Sequence, residues 1–419
     1  MTQHVELADH GEHMISDLQA LATMVDDSAP GWSRVALSEL DVTGRHWVLR
    51  QMIEAGLDAR IDEAGNVLGL LKGDRPGAGT IMTGSHTDTV PGGGRFDGNV
   101  GVTAALEVVR TLRASGTRLA QDLLVVDFFN EEPNRFGISC VGSRALTGTL
   151  SAAHLNAQDA AGTRFGDALL EARIDPSQVG RAVKDFTGVI AFVELHIEQG
   201  PHLEEQGNRI GLVTSITGIS RFCGIFHGRR DHAGTTPMNR RHDAGCAAAG
   251  TVLAVESIAS DRQTSRGTTG SVTFTPDAVN VVSERAEVRG EFRSPDTQWL
   301  TQAREKLLTA ASQHGEQRDV TLELEWLPGE EPVTMSDPLL NTASRVVSDM
   351  GLSHTRMYSG AEHDASQMAR QVPTAMIFVP SRDGRSHCPE EFTETADILA
   401  GAEVLLNTII RISTQHSSM

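Results

Sequence analysis

The sequence predicts an α/β protein with a largely parallel mixed sheet, interrupted by a second, α+β unit. Three observations lead there: short apolar runs alternate with longer helical patterns, the rhythm changes after Gly218, and it returns near Pro338. In the first stretch, Trp47, Val48, Met52 and Ile53 recur at helical spacing between Asp41 and Ala55, and Gly56 stands where a helix would be capped. Thr80 to Thr83 reads as a strand, Gly101 to Leu112 as a helix and Leu123 to Phe129 as another strand.

After Gly218 the order is strand (Phe222 to Phe226), helix (Asp243 to Ile258), strand (Ser271 to Phe274), strand (Ala286 to Phe292), helix (Gln298 to Ala311) and strand (Val320 to Trp326). That order is the self-contained ferredoxin-like split unit. A helix from Pro338 to Met350, a strand from Ala375 to Val379 and a last helix after Thr393 resume the first pattern. The reading is therefore a discontinuous domain of residues 1–217 and 333–419 holding an inserted domain of residues 218–332.

Composition bounds the function. With 419 residues and 39% hydrophobic content, the chain can bury a substantial core. Its 36 Lys and Arg against 55 Asp and Glu give a formal charge of −19, which repels phosphate backbones and anionic lipid surfaces, so neither nucleic acid nor a membrane is expected as a partner. The start has no basic and apolar leader pattern, and no later run is long enough to cross a bilayer, so a cytoplasmic protein is expected. Cys140, Cys223, Cys246 and Cys388 form no C-x-x-C pair and are expected to be reduced and mostly buried, with Cys388 outside any metal shell.

Five places put imidazole or carboxylate at the carboxyl end of a strand, where open α/β sheets carry their ligands. IMTGSHTDTVP offers His86 and Asp88. GGGRFDGNVGV turns sharply at Asp97. LLVVDFFNEEP ends in Glu131 and Glu132. VIAFVELHIEQGP carries Glu194, His196, Glu198 and Gln199 in the alternation of a half-buried strand, and DGRSHCPEEF presents His387 on a loop. Alone, the first and third read more readily as a hydrogen-bonded or solvated turn and the second equally so, while the charge on the fourth strand needs partners. Together they make a nitrogen and oxygen donor set suited to zinc or manganese, in which an Asp can bridge two ions about 3.5–4 Å apart.

The motifs GSHTDTVPGGGRFDG, FFNEEPNRFG, ELHIEQGP, DHAGTTPM, EFRSPD, SGAEHDA and SHCPEEF, in this order, resemble the hydantoinase/carbamoylase group of the zinc-peptidase superfamily from about Met14 to Ile412. The resemblance implies a zinc-peptidase-like catalytic domain with an inserted lid and dimerisation domain, and two divalent ions per subunit, zinc or manganese. It implies His86 and His196 on one ion, Glu132 and His387 on the other, and Asp97 bridging. Glu131 would be the general base and Asp88 the support of His86. In the inserted unit His232 would stabilise an oxyanion, Asn280 orient the substrate and Arg293 grip its carboxylate, with Gln199 and Arg221 as further contacts.

The activity implied is hydrolysis of a carbon–nitrogen bond in a small linear amide that carries a carboxylate. An N-carbamoyl-L-amino acid comes first, allantoate second and a dipeptide or N-acyl amino acid third. A metal-binding protein without catalysis would be expected to lack Glu131 or a ligand, and all are present. A homodimer and closure of the inserted unit about Gly218 and Gly329 are further implications. The sequence departs from the family at Glu362, where glycine is usual; an acid there either points inward, narrowing the pocket or favouring a cationic group, or turns outward to solvent. His202 has no role in this reading.

Overall fold

The computed structural model describes residues 4–28 and 30–416. Its strands are β1 (Asp58–Ile61), β2 (Val67–Leu71), β3 (Thr80–His86), β4 (Asp122–Phe128), β5 (Val189–Ile197), β6 (Ile210–Ile216), β7 (Gly218–His227), β8 (Arg266–Thr275), β9 (Arg285–Ser294), β10 (Thr321–Glu330), β11 (Val333–Thr334), β12 (His354–Ser359) and β13 (Thr374–Val379). The chain separates into two compact units, one of residues 1–214 and 334–419, the other of residues 215–333.

The larger unit is built on a sheet in the order β1-β2-β4-β3-β5-β13-β6-β11, with β12 on β6. Its centre is parallel: β3 runs with β4 and with β5, and β13 runs with β5. The antiparallel pairs lie outside that centre, β1 on β2, β2 on β4 and β6 on β13. A parallel sheet needs both faces covered, and its central strands accordingly carry apolar runs, such as LLVV in β4 and AMIFV in β13. Helices Asn99–Ala114 and Thr395–His416 supply much of that cover, both packing on β5.

β5 differs from the half-buried strand expected of it. From Ala191 to Ile197 every residue is buried, Glu194 and His196 included. The alternation of polar residues there reflects their convergence on partners at the strand end, not a wet face.

The smaller unit is a four-stranded antiparallel sheet in the order β10-β7-β9-β8. Two helices, Ala244–Ser260 and Thr297–Glu316, cover it. Phe222, Phe226, Val288, Phe292, Val255, Leu307 and Trp299 form its core. Both helices begin on an aspartate whose carboxylate accepts a first-turn N–H, Asp243 from Cys246 and Asp296 from Trp299.

Gly218, at the start of β7, and Gly329, near the end of β10, lie close to the two places where the chain passes between the units, and a Cβ on Gly329 would meet the Ile219 carbonyl oxygen at 2.1 Å. One expectation is corrected. Of the four cysteines only Cys140 is buried, while Cys246 is exposed and Cys223 and Cys388 are intermediate.

Candidate metal centre and active site

The parallel strands β4, β3, β5 and β13 share one direction, so their carboxyl ends open on one edge of the sheet. His86 ends β3, Glu131 and Glu132 follow β4, His196 lies next to the end of β5, and His387 stands in the loop after β13. Asp97 enters from the loop between β3 and helix Asn99–Ala114. All are buried except His387, whose side chain is 47% exposed.

Asp97 divides its oxygens between two sides. Oδ1 is 3.2 Å from His196 Nε2 and 4.0 Å from His86 Nε2, while Oδ2 is 3.1 Å from His387 Nε2. His387 Nε2 is also 3.1 Å from Glu132 Oε1. Two trios result, His86, Asp97, His196 and Asp97, Glu132, His387, each with donor atoms close enough to hold one ion.

The chemistry of these atoms asks for a cation. His86 Nδ1 lies 3.0 Å from the Asp88 carbonyl and His196 Nδ1 lies 2.9 Å from the Ile197 carbonyl. Those bonds place the ring proton on Nδ1 and turn the Nε2 lone pair of each histidine toward the carboxylates. His196 Nε2 is buried and makes no hydrogen bond. Acceptor faces acceptor, which a divalent ion resolves. A proton can compete with an ion for those Nε2 lone pairs. Burial opposes charge on His86, yet Glu131, Asp88 and Asp97 hold its pKa well above the ordinary value. Hydrogen bonds to Asp97 and Glu132 raise His387 to about 10.

Asp88 lies where support of His86 requires it, its Oδ1 3.5 Å from His86 Nδ1, and it also does more. The His86 ring bonds the Asp88 main-chain carbonyl, while the Asp88 carboxylate accepts the N–H groups of Glu131 and Glu132 at 3.1 Å each. It therefore fixes the turn that carries the candidate base and a candidate ligand. Glu131 Oε2 lies 3.6 Å from His86 Nε2. Burial pushes Glu131 well above the usual carboxylate range; His86 opposes the shift and Glu132, Asp364 and Asp88 add to it.

Gln199 Nε2 donates to Asp97 Oδ2 at 2.9 Å, which places its amide at the centre of the larger unit's site. Glu198, by contrast, accepts the N–H groups of His202 and Leu203 and serves the turn after β5, which also accounts for the place of His202.

Several participants received no role from the sequence, although Glu194 stands in ELHIEQGP and His363 in SGAEHDA. His363 packs edge-on against His196, with ring centroids 4.4 Å apart, and Glu194 accepts Ser85 Oγ at 2.8 Å and Ala365 N–H at 3.1 Å. Glu194, His196 and His363 also converge. Since Ser85, Ala365 and Ser359 already occupy Glu194 and His363, this trio buttresses the His196 ring. Arg34, 2% exposed, donates to the carbonyls of Leu21 and Thr87 and to Asn99 Oδ1, and the Asn99 amide in turn donates to the Asp97 carbonyl at 2.9 Å. Cys140 Sγ lies 3.7 Å from Glu131 Oε1, and its N–H donates to the Glu131 carbonyl.

Glu362 matches neither alternative raised for it. Its carboxylate is 14% exposed and engaged by Arg144 at 3.1 Å and Ser139 Oγ at 2.8 Å, so its charge is offset within the protein.

The smaller unit gathers the remaining residues in two places. His232 and Asn280 lie on loops joined by a bridge between His232 and Val281 and by the Ala233 N–H donating to the Asn280 carbonyl. Both side chains are exposed. His232 Nδ1 accepts the N–H groups of Gly234 and Thr235, leaving the proton on Nε2. Arg293 and Arg221 flank one carboxylate: Arg293 Nε is 2.6 Å from Glu291 Oε1, and Arg221 Nε is 3.4 Å from Glu291 Oε2.

Comparison with known proteins agrees with this geometry. The model for peptidase family M20/M25/M40 matches residues 82–411. An N-carbamoyl-L-amino acid amidohydrolase of Geobacillus stearothermophilus is 36% identical over 96% of this chain and 98% of its own length. A ureidoglycolate hydrolase of Oryza sativa subsp. japonica is 36% identical over 95% of this chain and 84% of its own. The crystal structure of a hydantoinase/carbamoylase family amidase from Burkholderia multivorans superposes with a TM-score of 0.86 at 33% identity, covering 97% of this chain and 98% of that one. The carboxylates and imidazoles converging at the strand ends thus sit in a chain that belongs to the M20/M25/M40 peptidase family, in its hydantoinase/carbamoylase branch.

Proposed function

We propose that this metal-dependent hydrolase of non-peptide carbon–nitrogen bonds acts on N-carbamoyl-L-amino acids at a dinuclear centre. His86 and His196 would hold one ion, Glu132 and His387 the other, and Asp97 both. The observation that carries the reading is the division of the Asp97 oxygens between two sets of donor atoms. Zinc or manganese bound there supplies Lewis acidity and lowers the pKa of a water toward about 7.

The protein's own groups supply the proton path. Glu131, buried beside both trios, takes a proton from the attacking water as the carbon–oxygen bond forms, then delivers it to the leaving nitrogen as the carbon–nitrogen bond breaks. One carboxylate can serve both tasks, since the proton it takes from the water is the one it delivers to the nitrogen. His232, with its proton on Nε2, would donate to the oxyanion. Arg293 would present its planar fork to the substrate carboxylate, Asn280 would orient the substrate, and Gln199 and Arg221 would add contacts. The discontinuous domain is thus catalytic and the inserted one a lid and dimerisation unit, in a cytoplasmic homodimer.

Allantoate and ureidoglycolate compete as substrates, since an allantoate amidohydrolase and a ureidoglycolate hydrolase are relatives at 33% and 36% identity. The experiment that decides uses protein stripped of metal and reloaded with manganese or zinc, offered N-carbamoyl-L-amino acids, allantoate and N-acyl amino acids. Metal-dependent ammonia release from the carbamoyl amino acids is expected, and release from allantoate alone would make allantoate the substrate. Glu131→Gln should keep its metal and lose turnover by about 10²–10⁴-fold. Near-wild-type turnover in that variant would remove Glu131 from its role.

A further inference from the structure

Glu391 lies in the SHCPEEF segment and has no role in the mechanism above. It is 2% exposed, yet it is an acid placed beside the acid Asp97. Burying a second carboxylate there is costly unless each of its oxygens is satisfied. Both are. Oε1 accepts the N–H groups of Phe96 and Asp97 at 3.0 and 3.1 Å, and Oε2 accepts the Ser386 hydroxyl at 2.6 Å. One oxygen thus holds the residue that divides its carboxylate between the trios, and the other holds the neighbour of His387.

The surroundings are shaped for this carboxylate. A Cβ on Gly94 would stand 1.9 Å from Glu391 Oε1, so the glycine-rich turn before Asp97 leaves room for it. His387 is the most exposed candidate ligand and adopts a left-handed backbone at φ +55° on a loop, so its position depends on what ties that loop down. Asp97 and His387 come from distant parts of the sequence, and ligand atoms must be held to within about half an ångström for tight metal binding.

We infer that Glu391 is a positioning residue that locks the Asp97 turn and the His387 loop in register for metal binding. The inference rests on the dinuclear reading. Residues that orient metal ligands typically account for about 10–100-fold in metal affinity. Glu391→Ala releases both loops and should weaken zinc or manganese binding by about that factor. In Glu391→Gln the amide oxygen still accepts the two N–H groups, and the Ser386 hydroxyl can turn to accept from the amide, so affinity should return to within about threefold of wild type.

The test is chelator competition for zinc and for manganese on the full chain, with melting midpoints of metal-free and metal-saturated protein alongside. Weakened binding in the alanine variant with rescue by glutamine supports the lock. Wild-type affinity in Glu391→Ala overturns it, including the case in which only the metal-free melting midpoint falls. Should the alanine variant not fold, Ser386→Ala removes the His387 side of the lock, together with the longer 3.3 Å bond that Ser386 Oγ accepts from Gln199. It is expected to weaken binding by about 3–10-fold, with unchanged affinity overturning the proposal. Wild-type protein that binds no metal, or whose affinity ignores His387→Ala, would instead overturn the dinuclear reading and the lock with it.

Discussion

At Asp97 one carboxylate faces imidazole nitrogens on two sides, and the protonation of those imidazoles follows from it. His387 is the clearest case, its pKa raised to about 10 by hydrogen bonds to Asp97 and Glu132. A histidine whose folded pKa exceeds its unfolded value of about 6.5 contributes stability that is complete below that value and lost as pH rises through the folded one. In metal-free protein the melting midpoint of wild type should therefore exceed that of His387→Ala near pH 6, and the gap should close between about pH 7 and 10. A gap that stays constant over this range would show that His387 does not carry that proton. His86, Glu132 and His196 were legible in the sequence as polar residues at or just past the end of an apolar strand, and Asp97 and His387 as parts of short polar loop motifs. Glu391, Arg34 and His363 were not, since their partners, Phe96 and Asp97, Asn99, and His196, are brought to them only by the fold. Glu362 was legible as an oddity but not as half of an ion pair, because nothing in the sequence connects it to Arg144.

Elements were easier to read than contacts. The central strands and long helices stand out by apolar run length and by helical period, and the inserted unit by its element order. The hairpin of β1 and β2 has too little of either pattern, with β1 only four residues long. β5 was misjudged because an alternating strand looks half wet until its neighbours are known. Helix Asn99–Ala114 carries a constraint that no periodicity reveals. Its backbone passes so close to the sheet that a Cβ on Gly101 would meet the Leu195 carbonyl oxygen at 2.4 Å and Ser85 Cβ at 2.5 Å. Overpacking of this kind costs about 1–3 kcal/mol. Gly101→Ala should lose that much stability in urea unfolding. It should also lose activity, because Ser85 bonds Glu194 beneath the site and Asp97 lies at the start of the same helix. Unchanged urea midpoint and turnover would mean that the helix shifts freely.

For the molecule as a whole, the proposed homodimer makes a demand on the smaller unit alone. Its sheet ends on β8, a ten-residue strand whose free side has no partner strand among the described residues. Native sheets blunt such edges with charge, proline or a covering element. From Gly267 to Thr275 the sequence GTTGSVTFT has no charge and no proline, and Val272 and Phe274 remain 37% and 41% exposed. An unprotected edge of this length is suited to pairing with the same strand of a second copy, and a two-fold axis makes that pairing self-complementary. Wild-type protein should therefore sediment at twice the mass of one chain. Lysines at both Val272 and Phe274 should give monomers at micromolar concentration while leaving metal affinity unchanged, since the candidate ligands all belong to the larger unit. Turnover then separates two forms of the mechanism. Monomers that keep full activity would place His232, Asn280 and Arg293 in the site of their own chain. Monomers that bind metal but turn over nothing would place them in the site of the partner.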